Sequence, residues 1–205
     1  MPPKKQVYQF KVTLKETHPP VWRRIQVPST YTFWDLHLAI QDAMGWHDSH
    51  LHEFRIQAKT GDTLVFGIPS DIEDDPYFSD ERTLAGWKHR ISKYESVIPS
   101  TFVYAYDFGD DWRHKIDFEE IKPAEAGIIY PRCIKGKRAC PPEDCGGALR
   151  YLNLLAILAD PEHEEHDSMR EWVEAQTGGP FYPEHFDPAE VVFSDPKERL
   201  AQVLD

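Results

Sequence analysis

The sequence predicts an α+β fold in which helices pack against a mainly antiparallel sheet. Segments with alternating apolar residues recur along the chain in pairs joined by short turns, which is typical of antiparallel strands. Only the helical segment 32–44 has the length of a crossover between parallel strands, so a doubly wound sheet is not favoured. The 205 residues contain no internal repeat, low-complexity tract or linker. A single domain spanning residues 1–205 is therefore predicted.

Four strands are predicted in the first third of the chain, as two antiparallel pairs. Segments 7–15 and 21–27 form the first pair, around a His-Pro-Pro turn. Segments 51–58 and 63–68 form the second pair, around Gly61 and Asp62. One face of the first strand carries apolar side chains two residues apart: Tyr8, Phe10, Val12 and Leu14.

A helix over 33–44 is predicted between the two pairs. Thr32 has the character of an N-cap, Asp35 completes a capping box, and Gly45 ends the helix. The acidic segment 69–79 is predicted to be a surface loop, and a short helix is predicted near 92–97.

A third strand pair, 101–107 and 112–121, is predicted to be a hairpin that turns at Gly109 and Asp110. Within its second strand, His114 lies on the same face as the apolar residues, so it should point toward the core. The segment that follows, 133–147, is so rich in Pro, Gly and Cys that a loop is predicted rather than a core element.

Three helices are predicted in the last third of the chain. Residues 148–159 are apolar on nearly every side and should form a buried helix, whereas 162–177 should form a polar one. The last helix should begin at Pro196 with Asp195 as its N-cap.

Composition restricts the partners. With 23 basic and 35 acidic residues the formal charge is −12, which opposes a broad nucleic-acid-binding face. One local basic cluster could contact phosphate or nucleic acid, although a solvated loop is the simpler explanation. Its residues are Arg132, Lys135, Lys137 and Arg138. No stretch has the apolar length of a membrane span and the first residues lack a signal-peptide core, so a cytoplasmic protein without membrane partners is expected. The oligomeric state stays open.

The hairpin and the Pro-Pro-Glu-Asp segment that follows it are predicted to form one ligand-binding pocket. Asp107 and Asp111 flank the turn, and Pro141 and Pro142 restrict the loop that carries the next two carboxylates. The predicted ligand-binding residues are Asp107, Asp111, Trp112, His114, Glu143 and Asp144. Asp110 is expected to serve the turn alone.

Three cysteines are spaced C-x6-C-x4-C: Cys133, Cys140 and Cys145. Three thiolates and one histidine could bind zinc, but the spacing lacks the C-x2-C of a zinc knuckle. The alternative is three partly buried free thiols, and metal-free protein is the expected result.

Other polar groups have structural explanations beside functional ones. The histidines near the end of the first helix, at positions 47, 50 and 52, could bind a metal or act as a base, but no facing carboxylate is evident. Arg23 or Arg24 could bind a carboxylate or phosphate, although an internal salt bridge is the simpler use. His163 and His166 fit a solvated first turn of a helix.

Four phrases and the closing helix region to about Trp172 stand out in order along the chain: PPVWRRIQVP (19–28), GWHDSHLHEF (45–54), YDFGDDWRH (106–114) and ACPPEDCGG (139–147). Together they resemble the plasmid pRi open-reading-frame-three-like family, some of whose members are labelled insertion-element passengers or TnpR-like. The resemblance implies an α+β fold with a mainly antiparallel sheet, and no established activity. It does not support a resolvase, because a serine recombinase needs a nucleophilic serine among arginines on a basic face.

The residues favour a non-enzymatic binding or adaptor domain of bacterial or mobile-element origin, with a protein or small ligand as partner and no cofactor. The alternative is a divalent-metal-dependent phosphoester hydrolase at the same site, using Zn²⁺ or Mg²⁺. In that case Asp107, Asp111 and Glu143 would hold the ion, with His114 as base; His114 and Asp111 are thus the catalytic candidates. Dinucleotide, P-loop and nucleophile-elbow motifs are absent from the sequence.

Overall fold

A computed structural model describes residues 5–69 and 82–204. It confirms the α+β class and the mainly antiparallel sheet. The acidic segment predicted to be a surface loop, 69–79, lies outside the described residues except for its first position. None of the described helices is long and apolar enough to cross a bilayer.

The strands of the described residues form one open sheet. Their bounds are β1 Gln6–Leu14, β2 Trp22–Pro28, β3 His52–Gln57, β4 Thr63–Gly67, β5 Thr83–Ala85, β6 Thr101–Tyr106, β7 Trp112–Pro123 and β8 Arg132–Lys137. Their order is β5-β4-β3-β6-β7-β1-β2-β8. Neighbouring strands are antiparallel except β4 and β5, which are parallel.

The three predicted strand pairs are confirmed, and two strands were missed. β8 lies in the segment that was predicted to be loop only, so that part of the prediction was wrong. It is an edge strand that pairs with β2 alone, from Trp22 opposite Lys137 to Gln26 opposite Arg132. Its residues do not alternate between apolar and polar, because backbone pairing rather than a buried face holds it in the sheet. β5 has only three residues.

The helices are α1 Phe33–Met44, α2 Gly147–Ala159, α3 His166–Thr177 and α4 Pro196–Leu204. The predicted capping box of α1 is present: Asp35 N donates to Thr32 Oγ1 over 3.1 Å, and Thr32 N donates to Asp35 Oδ2 over 2.8 Å. Gly45 follows in the left-handed conformation with φ of 93°. α1 packs against β2 and β4. Near 92–97, only a short 3-10 turn at Ile91–Lys93 forms.

α2 is not buried on every side, which corrects the prediction. Its inner face buries Tyr151, Leu154 and Ile157, but Leu149 on the outer face is 83% exposed. α3 and the other elements beside α2 cover only part of its surface, so some of its apolar residues stay exposed. α3 begins at His166, four residues later than predicted.

The segment after α3 returns across the end of α1. Trp34 Nε1 donates to Pro196 O over 3.0 Å. Arg199 on α4 donates from Nε to Asp48 Oδ2 over 2.7 Å. Asp195 caps α4 as predicted, because its Oδ1 accepts from Lys197 N at 2.9 Å. Polar contacts therefore hold a helix that buries no residue of its own.

Candidate functional site

The turn between β6 and β7 has five residues, so the predicted two-residue turn was wrong. Tyr106 pairs with Trp112 across the hairpin, which leaves 107–111 outside the ladder. Asp107 organises the turn: its Oδ1 accepts from Gly109 N at 3.0 Å and from Asp110 N at 3.3 Å. Both Asp107 and Asp111 adopt φ of 54°, a conformation that Asp tolerates better than most residues.

Asp110 does more than serve the turn. Its Oδ2 accepts a hydrogen bond of 2.8 Å from Gly146 N, which ties the hairpin to the start of α2. Gly147 adopts φ of 80°, and a Cβ there would lie 2.7 Å from Asp110 O. The backbones therefore meet closely at a point where only glycine fits. The hairpin and the end of the Pro-Pro-Glu-Asp loop are thus in direct contact.

His50 is the centre at which the carboxylates of these two segments meet. Its Nε2 lies 3.0 Å from Asp144 Oδ1, 3.5 Å from Glu143 Oε2 and 3.7 Å from Asp107 Oδ2. The nitrogen is shielded from solvent but has no contact aligned as a hydrogen bond with the described residues. His50, Asp107, Glu143 and Asp144 are hereafter the His50 cluster.

The side chains around the cluster are fixed by hydrogen bonds. Glu143 accepts from Tyr106 Oη at 3.0 and 3.1 Å and from His47 N at 2.7 Å. Trp46 Nε1 donates to Pro141 O over 2.9 Å and anchors the loop. Asp144, with φ of 56°, stays largely exposed at the outer side. The cluster is thus open to solvent at Asp144, while hydrogen bonds fix Glu143 and the loop that carries it.

The pairing of β3 with β6 brings His50 to this place. His52 lies opposite Tyr106 in that pair, and Asp107 N donates to Leu51 O over 2.9 Å. Because β3 and β6 are distant in sequence, no local pattern indicates this approach. The sequence predicted three of the four cluster residues and set His50 aside for lack of a facing carboxylate.

Three other predicted site residues do not join the cluster. Asp111 forms an exposed ion pair with Arg113, Oδ1 to Nε 2.8 Å. Trp112 is 1% exposed, with its ring centroid 5.9 Å from that of Trp46. His114 is 0% exposed and lies on the core face, as predicted. A side chain without solvent contact cannot reach a ligand.

Burial also removes His114 as a base. Desolvation lowers its pKa to about 3, against a smaller opposite effect of the backbone at Tyr104 and Trp112. A base with that pKa holds no useful affinity for a proton near neutral pH. The burial and lowered pKa of His114 therefore do not favour its assignment as a base.

A second set of groups with metal-ligand chemistry lies within the core: His37, Asp48 and His52. The imidazoles of His37 and His52 stack with centroids 3.4 Å apart. Burial lowers the pKa of both, although Asp48 opposes the shift at His37. Both ring nitrogens of His37 already have partners, Tyr104 Oη at 2.7 Å and Asp48 Oδ1 at 2.8 Å. This set is therefore a structural network.

The three cysteines are not gathered for a metal. They are free, and among the described residues the three sulfur atoms do not form a group in which all lie within 4.8 Å of one another. Burial raises the pKa of Cys133 and Cys140, and it raises that of Cys145 to about 12. These raised pKa values keep the thiols protonated near neutral pH in the metal-free protein.

We expect these thiols to react slowly in the native protein. With a pKa of about 12, Cys145 should have roughly a thousandfold less thiolate than an ordinary cysteine near pH 8. Ellman's reagent should therefore label the native chain slowly and all three thiols promptly in denaturant. Prompt labelling of one native thiol would contradict the burial described here.

Comparison with known proteins decides the family. A family model described as "Plasmid pRiA4b ORF-3-like protein" matches residues 6–190. The chain belongs to the plasmid pRiA4b ORF-3-like family. Its resemblance to that family, predicted from the sequence phrases, is confirmed.

Two similar proteins have descriptions that state no function. The chain is 38% identical over 166 residues to "Uncharacterized protein y4hQ" of Sinorhizobium fredii, covering 81% of this chain and 80% of that one. The crystal structure of "Protein of Unknown Function MM3350" from Methanosarcina mazei Go1 matches with a TM-score of 0.79 and 42% identity, over 93% of this chain and 99% of the other. These likenesses support the fold and leave the activity open.

Other polar residues proposed from the sequence have local partners. Arg24 makes the expected internal salt bridge, Nε to Glu119 Oε2 2.7 Å. His166 contacts Asp167 at the start of α3, and His163 Nδ1 accepts from Glu165 N. Arg23 has no carboxylate partner among the described residues, so the expectation of a salt bridge was wrong for it.

Proposed function

We propose that this protein is a binding domain whose site is the His50 cluster, and that the cluster holds a divalent cation. The observation that carries the proposal is the convergence of three carboxylates on His50 Nε2 at 3.0 to 3.7 Å. Imidazole nitrogen suits Zn²⁺, and carboxylate oxygen suits Mn²⁺, so these two ions are the probes of choice. The cation presents open coordination positions to a protein or small ligand at the exposed Asp144 side.

Neither of the two catalytic candidates joins the cluster, which is consistent with the binding proposal. Among the described residues, His114 is sealed in the core and Asp111 is paired with Arg113 away from the cluster. The ion-holding set of the cation proposal is therefore His50, Asp107 and Asp144, whose ligand atoms lie within 4.8 Å of one another, with the charge of Glu143 beside them. The plasmid in the family's description supports a bacterial or mobile-element origin.

Paired isosteric substitutions test the proposal. Asp107→Asn keeps an oxygen for the turn amides, and Glu143→Gln keeps one for His47 N and Tyr106 Oη, but the two negative charges are lost. We expect saturating Mn²⁺ or Zn²⁺ to raise the melting temperature of the natural protein by about 5–10 °C, as for ligand near a hundred times Kd. The double variant should show almost no cation effect and a metal-free melting temperature within a few degrees of the original.

Asp111→Asn is the matched control, because it removes a carboxylate from the same turn but outside the cluster. It should leave cation binding, followed by calorimetric titration, unchanged. Direct pairing of His50 with the three carboxylates would fit the same geometry without a cation. Failure of the natural protein to bind either ion would favour that explanation and end the proposal. Unfolding of the double variant would identify the two carboxylates as structural ties.

A phosphoester hydrolase is the second candidate, because converging carboxylates are the arrangement that metal-assisted phosphoryl chemistry uses. Its test is metal-dependent release of nitrophenol from bis(p-nitrophenyl) phosphate. Turnover that is lost in Asp107→Asn/Glu143→Gln and retained in Asp111→Asn would establish it. Cation binding without turnover would leave the binding domain as the function.

A further inference from the structure

Arg23 is a buried cation without a counter-charge. It lies on β2 in the inward-facing series of Val21, Ile25 and Val27, and is 1% exposed. Among residues 5–69 and 82–204, no carboxylate lies within 4.0 Å of its guanidinium, so no ion pair forms. The groups that influence its charge most, Cys133, Cys140 and Tyr151, have raised pKa values and are neutral near pH 7. An unpaired buried charge is unfavourable unless something neutralises it.

The hydrogen bonds of Arg23 leave one nitrogen of the guanidinium, Nη2, without a partner among the described residues. Nε donates to Ala43 O over 2.7 Å, and Nη1 donates to Trp22 O over 3.0 Å and to Lys137 O over 3.1 Å. Nη2 donates to no residue in the described part of the chain. Three backbone carbonyls orient the group without neutralising its charge, so an anion can still bind in the guanidinium plane.

Phe186 covers one face of the guanidinium. The Arg23 Cζ lies 3.6 Å from the Phe186 ring centroid. Gly136 makes room for this ring, because a Cβ there would lie 2.3 Å from Phe186 Cε1. Stacking fixes the plane of the guanidinium and leaves Nη2 available to an anion that lies in that plane.

Arg23 lines a cavity of about 420 Å³ between the end of α1, the Pro-Pro-Glu-Asp loop and the segment after α3. Cavities of this size hold small organic molecules. Much of the wall is apolar or aromatic, including Met44, Trp46, Pro141, Phe181 and Tyr182. A ligand with an apolar body therefore fits beside the cationic group.

The acidic groups of the wall already have partners. Asp42 accepts from Ser194, Glu143 from Tyr106, Asp187 from Ala189 N, and Glu190 contacts His185. None of them pairs with Arg23, but their charges disfavour a dianion. A singly charged anion is the better match for one guanidinium.

We propose that this cavity binds a small organic carboxylate with an apolar body, whose carboxylate accepts hydrogen bonds from Arg23. The inference does not rest on the cation site, although Glu143 borders both. A carboxylate matches the charge of the guanidinium and can accept hydrogen bonds from Nη2, and the apolar wall contributes by excluding water.

Calorimetric titration of the full chain with benzoate, in the presence of EDTA, tests the proposal. We expect saturable binding at one site, weaker binding of acetate, and weaker binding of inorganic phosphate. Arg23→Gln should weaken benzoate about thirtyfold or more, because the partner charge is lost. Arg24→Gln is the matched control, since Arg24 pairs with Glu119 and does not line the cavity; it should bind benzoate normally.

Substitutions at Val192 provide a second test, which does not depend on whether Arg23→Gln folds. It lines the cavity and is 82% exposed, so charged residues are tolerated there. Val192→Lys should strengthen and Val192→Glu weaken benzoate binding, each by about threefold. Equal affinities in this pair would overturn the proposal. So would absence of saturable binding, equal binding of acetate or phosphate, or benzoate binding that survives in folded Arg23→Gln.

Discussion

Acidification should destabilise the protein through His114, well before its exposed carboxylates are all protonated. The folded state holds this imidazole neutral down to about pH 3, because burial and the nearby Arg23 charge oppose protonation. An unfolded chain protonates histidine near pH 6.5. Between these values the unfolded state binds more protons, so the free energy of unfolding falls as pH falls. The loss should reach about 2.5 kcal/mol between pH 7 and pH 4.5 from this residue alone.

The variant His114→Phe isolates this contribution, because it fills the same core position without a titrating group. We expect its urea-unfolding free energy to fall less steeply with acid, by about 1.4 kcal/mol per pH unit below pH 6. His185→Phe is the control, since His185 is exposed and its loss should not change the slope. Parallel curves for the natural protein and His114→Phe would show that His114 gains a proton in the folded state.

Trp112→Ala should cost about 3–5 kcal/mol of stability, because the ring is 1% exposed and packs near Trp46 in the core. The melting temperature should drop by roughly 8–15 °C at this size of protein. Loss of the ring should let Trp46 shift and weaken its hydrogen bond to Pro141 O, which anchors the loop of the cluster. Cation binding should weaken only to the extent that this loop becomes looser.

Trp22→Ala is the comparison, because Trp22 on β2 is only half-buried and has Lys11 and Arg24 over its ring. It should cost much less than Trp112→Ala. A Trp112→Ala protein of normal stability that fails to bind a ligand would restore the original prediction of Trp112 as a contact residue.

Local patterns predicted most of the sheet because its inner strands bury one face. The alternation in β1 reports directly on burial: Tyr8, Phe10, Val12 and Leu14 are each at most 1% exposed. β8 lacks that signal, since an edge strand can be held by backbone pairing alone. The capping residues of α1 and α4 were likewise readable, because a cap is formed within four residues of sequence.

The candidate site was only partly predictable because it depends on contacts between distant segments. The Pro-Pro-Glu-Asp loop and Asp107 were indicated by composition, but the approach of His50 depends on the register of β3 against β6. Arg23 is different. It lies two residues after Val21 and two before Ile25, so the alternation of β2 places it on the core face. Its lack of a charged partner among the described residues could be learned only from the structure.

The basic residues of β8 have a consequence for how copies of the molecule meet. β8 is the last strand on its side of the sheet, where unpaired backbone groups invite strand addition by a second molecule. Lys135 and Lys137 are exposed on it, and Arg132 lies at its start. Two such edges brought together would place like charges opposite each other. The Phe186 side chain also packs against Gly136 on this strand. In a protein of net charge −12, we expect the positive charges of β8 to disfavour pairing of this edge with the same edge of a second copy.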